Sequence, residues 1–277
     1  MKATELTLRV VSLDDVLLHE HIEKKRVERL VEQFDRDQTL KNPPIVSSYD
    51  GKYVLLDGAS RVTALKQSGC RDVVVQLVEY EAPGMELQTW HHMLLDVSIE
   101  ELFQLWQSLS ALEIHRATTL GANAALDRRE SIGTVFSATG DVFSLYAPDA
   151  KAHILQLTEL LNRVVAAYDG RGEMFRVAHT NVEQLLIEHG RLGALVAFPQ
   201  FRPDEIRKLA LNGSKLPMGI TRHIIPGRAL RINIPLNILR GSESLEEKNA
   251  WFDEWMTGKM RGRHVRYYQE PVFLFDE

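Results

Sequence analysis

Apolar residues at Val27, Leu30, Val31 and Phe34 fall at i, i+3, i+4 and i+7, the spacing of one helical face, and predict a helix over about 22–37. Ahead of it, LTLRVV (6–11) reads as a short strand. Behind it, Asn42-Pro43-Pro44 stops any helix and starts an extended segment, IVSS, because a residue before proline is pushed out of the helical region. Tyr49-Asp50-Gly51-Lys52 is a hairpin turn into the strand YVLLD. A turn at Gly58 then leads to a second helical face carrying Val62 and Leu65, closed by Gly69, where positive φ costs little. DVVVQLVEY (72–80) is the clearest strand, rich in β-branched residues. The first eighty or so residues read β-α-β-β-α-β.

The remainder reads as a second, mostly helical unit. Ser98/Glu101, Thr180/Glu183 and Ser244/Glu247 each match the capping box and predict helices near 99–113, 181–189 and 245–258. Ile154, Leu157, Leu161 and Val165 lie on one face of a helix over about 149–168. Pro203 suits a first helical turn, and Gly213 ends that helix. Strands are expected at 193–198, 229–234 and 264–275, and the stretch 114–147 reads as irregular. The expected domains are 1–85 and 86–277.

Composition narrows the class. The chain has 277 residues, 44% hydrophobic and 26% charged, which is ordinary for a globular protein. A net charge of −5 gives no general reason to bind nucleic acid. The single cysteine, Cys70, excludes an internal disulfide framework and any cysteine-based zinc site, and fits a reducing cytoplasm. The N-terminus lacks the apolar core of a signal peptide, and no run reaches the ~20 apolar residues needed to span a bilayer.

The junction Asp57-Gly58-Ala59-Ser60-Arg61 carries the most chemistry. First-turn amides of a helix lack intrahelical partners, and the helix dipole adds positive charge there. Glycine and alanine allow close approach, Ser60 offers a hydroxyl, and Arg61 can grip oxygens as a fork. The four residues Gly58–Arg61 can cradle a phosphate, or simply make a tight turn with a solvated arginine. Asp57 can hold a metal, orient a substrate, or serve as a turn-forming aspartate. His19-Glu20-His21 and the adjacent His91-His92 lack the spacing of a dedicated zinc site. Thr221, Arg222, His223 and Arg228 form a dense donor set on a segment bounded by Gly219 and Pro226-Gly227.

KNPPIV…GKYVLLDGASRVTALKQSGCRDVVVQLVEY resembles the N-terminal domain shared by ParB partition proteins and sulfiredoxin, whose Gly-x-x-Arg turn binds nucleotide phosphates. A narrower resemblance covers nearly the whole chain. Leu18-His19-Glu20, DGASR, Thr89-Trp90-x-His92 and GITRHIIPGR followed by LRINIPLNIL occur in the order found in the free L-serine kinases of that fold. Some members of that group serve siderophore biosynthesis, and some regulate transcription and bind haem.

The resemblance implies an α+β protein: a ParB/sulfiredoxin-like nucleotide domain, then a mostly helical α/β domain, with the active site in the cleft between them. It implies transfer of a phosphoryl group from ATP or ADP to free L-serine, giving O-phospho-L-serine. Glu20 would be the catalytic base and Asp57 would lie at the substrate. Gly58, Ala59, Ser60 and Arg61 would bind phosphates. Trp90, Thr221, Arg222, His223 and Arg228 would line the amino-acid pocket. Mg²⁺ would be held mainly by the nucleotide, with Asp57 the protein group open to it. The kinases usually carry histidine before the motif arginine; Ser60 stands there and brings no charge.

Two other readings come from different classes. A ParB-like nucleotide-binding transcriptional regulator without kinase activity would act on DNA, but the chain is acidic and shows no helix-turn-helix or basic arm. A sulfiredoxin-like reductase needs a cysteine in the phosphate turn, where Ser60 stands.

Overall fold

The computed structural model describes residues 6–147 and 154–268. The chain forms two compact units. The first takes residues up to Leu18, Ile22–Glu86 and Ile224 onward; the second takes His19–His21 and Leu87–His223.

The first unit opens with β1 (Thr7–Ser12), β2 (Val16–Leu17), α1 (Lys24–Asp37), β3 (Thr39–Leu40), β4 (Ile45–Tyr49), β5 (Lys52–Asp57), α2 (Ala59–Gln67) and β6 (Asp72–Leu77). The expected β-α-β-β-α-β order is present, with two two-residue strands added. Its sheet runs β1-β6-β4-β5-β2. β4 pairs antiparallel with β5 through the Asp50-Gly51 turn and parallel with β6. Val27 and Phe34 of α1 and Val62, Ala64 and Leu65 of α2 are buried with Val46, Leu55, Val73, Val74 and Val75 in one core. The predicted helical face of α1 is therefore the face that packs.

The second unit is built on a sheet rather than being mostly helical. Its elements are β7 (Glu86–Thr89), β8 (His91–Leu94), α3 (Ile99–Trp106), β9 (Glu113–Ala117), α4 (Thr119–Asp127), β10 (Gly133–Ser137), β11 (Val142–Tyr146), α5 (Ile154–Tyr168), β12 (Met174–Val177), α6 (Val182–His189), β13 (Ala194–Ala197), α7 (Pro203–Leu211) and β14 (Thr221–Ile224). Six strands order as β12-β8-β13-β10-β11-β9, and β14 pairs with β7. The stretch expected to be irregular, 114–147, supplies β9, α4, β10 and β11. Every residue of β10 is buried, so the strand shows no apolar–polar alternation to read.

Smaller differences have local causes. The box expected at Thr180 gives way to a simple cap one residue on, where the Asn181 side chain accepts from the Gln184 amide at the start of α6. The boxes at Ser98 and Ser244 form as expected. α3 ends at Trp106, short of 113.

Residues from Ile224 onward group with the first unit, whereas the expected division at 85/86 placed them in the second. β15 (Ile234–Pro235) pairs with β3. The Leu239 carbonyl of α8 (Leu236–Arg240) accepts from the Arg71 amide at 3.1 Å. In α9 (Leu245–Arg261), Asn249 accepts from the Val10 amide at 3.0 Å and donates to the Val10 carbonyl at 2.9 Å, satisfying backbone groups of an edge strand. The expected strand at 229–234 is only its last residue, since Arg231 and Asn233 sit at φ 53 and 54. Of the strand expected at 264–275, residues 264–268 are irregular and the rest lies outside the described residues.

Lys248 on α9 is buried, and its Nζ donates to Asp72 Oδ2 and to the Gly241 carbonyl, each at 2.6 Å. Removing one partner of a buried pair strands the other's charge. Lys248→Met should lower unfolding free energy by roughly 3–5 kcal/mol in urea melts, and adding Asp72→Leu should recover most of that loss. Equal stability of the single variant and the unmodified chain would contradict this account.

Candidate functional site

β5 ends at Asp57, the chain turns at Gly58 with φ 105, and α2 starts at Ala59. Any larger residue at 58 would need that positive φ, and its Cβ would lie 3.2 Å from the Arg61 guanidinium and from Pro44 Cα. No side chain caps α2. The Ala59, Ser60 and Arg61 amides therefore have no intrahelical acceptor at the positive end of the helix dipole. This is an anion-binding arrangement.

Arg61 is used differently from the fork that the sequence suggests. Its Nη1 donates to the Asn42 and Pro43 carbonyls, both at 2.9 Å, and its Nη2 donates to Asp57 Oδ2 at 2.8 Å. The guanidinium ties the Pro43 loop to the corner. Arg228 donates to the same Asp57 oxygen at 2.8 Å. Buried Gln76 holds the Arg228 segment, donating to the Gly227 carbonyl at 3.0 Å and accepting from the Ala229 amide at 2.8 Å. Burial alone would raise the Asp57 pKa, but Arg61 and Arg228 outweigh it and hold the carboxyl below its ordinary value. One carboxylate between two guanidiniums leaves a net positive cluster beside the open amides.

In the second unit, the backbone flanking Glu20 is pinned by Leu216. The His21 amide donates to the Leu216 carbonyl at 2.9 Å, and the Leu216 amide donates to the His19 carbonyl at 2.8 Å. The half-buried Glu20 carboxylate accepts from the Gly219 amide at 3.1 Å, the Thr221 amide at 2.6 Å and the Thr221 hydroxyl at 2.5 Å. Gly219 has φ +71, and a side chain there would run into the Arg176 guanidinium. The Arg222 guanidinium carbon lies 4.4 Å over the Trp90 ring. His223 meets His19 edge-on, with ring centroids 5.6 Å apart.

The predicted residues thus fall into two sets. Asp57, Gly58, Ala59, Ser60, Arg61 and Arg228 lie in the first unit; Glu20, Trp90, Thr221, Arg222 and His223 lie in the second. Thr221 spends both its amide and its hydroxyl on Glu20. Sequence reasoning missed Gln76, Gly219 as a donor, and Arg176, and it named His19 without its bond to Thr221. The turn glycine of GITRH was the available signal for the Gly219 amide.

Among the described residues no three histidine, cysteine or acidic side chains group as metal ligands, and no helix is long and apolar enough to cross a membrane. His92 is buried against Tyr168, whose hydroxyl lies 2.8 Å from Nδ1, and His91 Nδ1 accepts from the Phe198 amide at 3.2 Å.

No family model matches the chain. The ATP-dependent L-serine kinase SbnI of Staphylococcus aureus is 27% identical over 273 residues, covering 98% of this chain and 97% of its own. The ATP-dependent L-serine kinase of Staphylothermus marinus is 21% identical over 239 residues, covering 83% and 90%. The chain resembles the free L-serine kinases. The fold agrees: C-terminally truncated SbnI from Staphylococcus aureus superposes with a TM-score of 0.72 at 23% identity, covering 91% of this chain and 97% of its own. A free serine kinase in complex with AMP gives 0.72 at 17% identity, covering 84% and 93%.

The two adjacent histidines give a test of stability. Burial, with His179 adding to it, lowers the His91 pKa to about 4; burial, with Arg176 adding to it, lowers that of His92 to about 3. Above pH 6.5 both are neutral folded or unfolded. As pH falls, the unfolded chain takes up protons that the folded chain refuses, so stability drops from about pH 6.5 towards 3. For fully buried His92 the loss by pH 4 should be about 3 kcal/mol. Urea melts of His92→Gln should show a shallower decline over that window; an unchanged slope would refute the assignment.

Proposed function

We propose that the chain is a small-molecule kinase that transfers the terminal phosphoryl group of ATP to free L-serine, producing O-phospho-L-serine and ADP in the cytoplasm. The observation that carries the reading is the state of Glu20. Three donors orient its carboxylate, and among the described residues no lysine or arginine pairs with it. A carboxylate aimed but not neutralised by a cation is suited to accept a proton.

In this reading the first unit is the ParB/sulfiredoxin-like nucleotide domain. The Ala59–Arg61 amides hold phosphate oxygens, with Gly58 permitting the approach. Asp57, Arg61 and Arg228 supply the net positive charge that a loose phosphoryl-transfer transition state needs on its equatorial oxygens. The second unit holds serine: Arg222, stacked on Trp90, offers donors for the carboxylate, and His223 lines the pocket.

Serine Oγ forms the new bond to the terminal phosphorus, the bond to the ADP oxygen breaks with its electron pair leaving on ADP, and the hydroxyl proton passes to Glu20. Magnesium, when bound, would neutralise charge on the nucleotide phosphates and be held chiefly by them. Asp57 Oδ2 already accepts from two arginines, which suits the cluster to an anion better than to a metal.

Purified protein with Mg²⁺, ATP and L-serine should give a phosphomonoester peak in ³¹P NMR. Glu20→Gln should lower that rate by roughly 10²–10⁴-fold while nucleotide still binds. Nucleotide binding with no transfer to serine would overturn the kinase reading and favour a nucleotide-binding regulator.

A further inference from the structure

We propose that His19 is a positioning residue which, through the Thr221 hydroxyl, fixes the aim of Glu20. His19 is buried, and its Nε2 lies 2.9 Å from Thr221 Oγ1. That same oxygen lies 2.5 Å from Glu20 Oε1. Thr221 has one hydroxyl proton, and an ionised carboxylate can only accept. The hydroxyl proton therefore belongs to the Glu20 bond, and His19 must supply the other one from Nε2–H. The imidazole is the Nε2–H tautomer, and the polarity of the chain runs His19 to Thr221 to Glu20.

Each link holds the Glu20 carboxylate in one direction, and a hydroxyl that itself accepts a bond becomes a better donor. The backbone reinforces this geometry, because Leu216 pins both His19 and His21. The charged and titratable groups facing the chain come from several elements. His223 on β14 lies edge-on to His19. Lys215 acts on His21, whose pKa is lowered by burial first and by Lys215 second. Arg176 on β12 packs against Gly219, and its charge also reaches His92 on β8. None of these replaces the Thr221 hydroxyl as donor to Oε1.

The kinetic part of the test rests on the kinase reading; the spectroscopic part does not. In ¹⁵N-histidine spectra, the signal lost in His19→Gln should report the Nε2–H tautomer between pH 7 and 9. In ¹³C-carboxyl spectra at fixed pH, the signal lost in Glu20→Gln should move in Thr221→Val and in His19→Leu, but not in Thr221→Ser. An Nδ1–H tautomer, or a Glu20 signal that ignores Thr221→Val, would overturn the proposal.

In turnover, Thr221→Val and His19→Leu should lose about 10–100-fold in kcat with little change in KM for serine. Thr221→Ser and His19→Gln should restore most of the rate. Equal losses in the conservative and non-conservative variants would reduce both residues to a merely structural role. Absence of phosphoserine from the unmodified enzyme would sink the kinase reading, while the spectra would still decide the relay. Should His19→Leu not fold, the Thr221 pair carries the decision.

Discussion

The Asp57 carboxylate holds two guanidiniums, one near and one far along the chain: Arg61 four residues on and Arg228 at a separation of 171 residues. All three side chains are partly exposed, so the pairs contribute little stability, roughly 0–1 kcal/mol each. Their role is arrangement. Asp57 brings together the strand-to-helix corner, the Pro43 loop through Arg61, and the late segment that Gln76 clamps. The trio keeps a net positive charge beside three amides that the helix leaves open. That combination attracts an anion and gives it donors of fixed direction.

Glu20 is the counterpart of opposite character. Where Asp57 is held by cations, Glu20 is held by two amides and a hydroxyl, which orient it without supplying a full compensating charge. The two carboxylates are thereby differentiated by their surroundings, one clamped between two guanidiniums and the other aimed by neutral donors. Their separation into different units also explains the late GITRHIIPGR segment. Its first half serves Glu20 through Gly219 and Thr221, and its second half serves Asp57 through Arg228.

Much of the first unit was legible because its signals are local: Val27 to Phe34 at helical spacing, the Asp50-Gly51 hairpin, and the β-branched run that becomes β6. The second unit was not. β10 is buried along its whole length, and such a strand has no polar face to mark it. Arg231 and Asn233 look extended in sequence but sit at positive φ. At the candidate site, Asp57-Gly58 and Arg61 could be read from one short stretch. The Arg228 contact with Asp57, Gln76 as a clamp, and His19 behind Thr221 depend on tertiary approach, which spacing along the chain does not encode.

The central claim is that the open amides at the start of α2 receive nucleotide phosphates. Titrating ¹⁵N-labelled protein with Mg²⁺–ADP and following backbone amide shifts tests it most directly. The account predicts that Ala59, Ser60 and Arg61 show the largest downfield proton shifts, and that Gly58→Val abolishes them. Saturable nucleotide binding that leaves those three amides unmoved would contradict it.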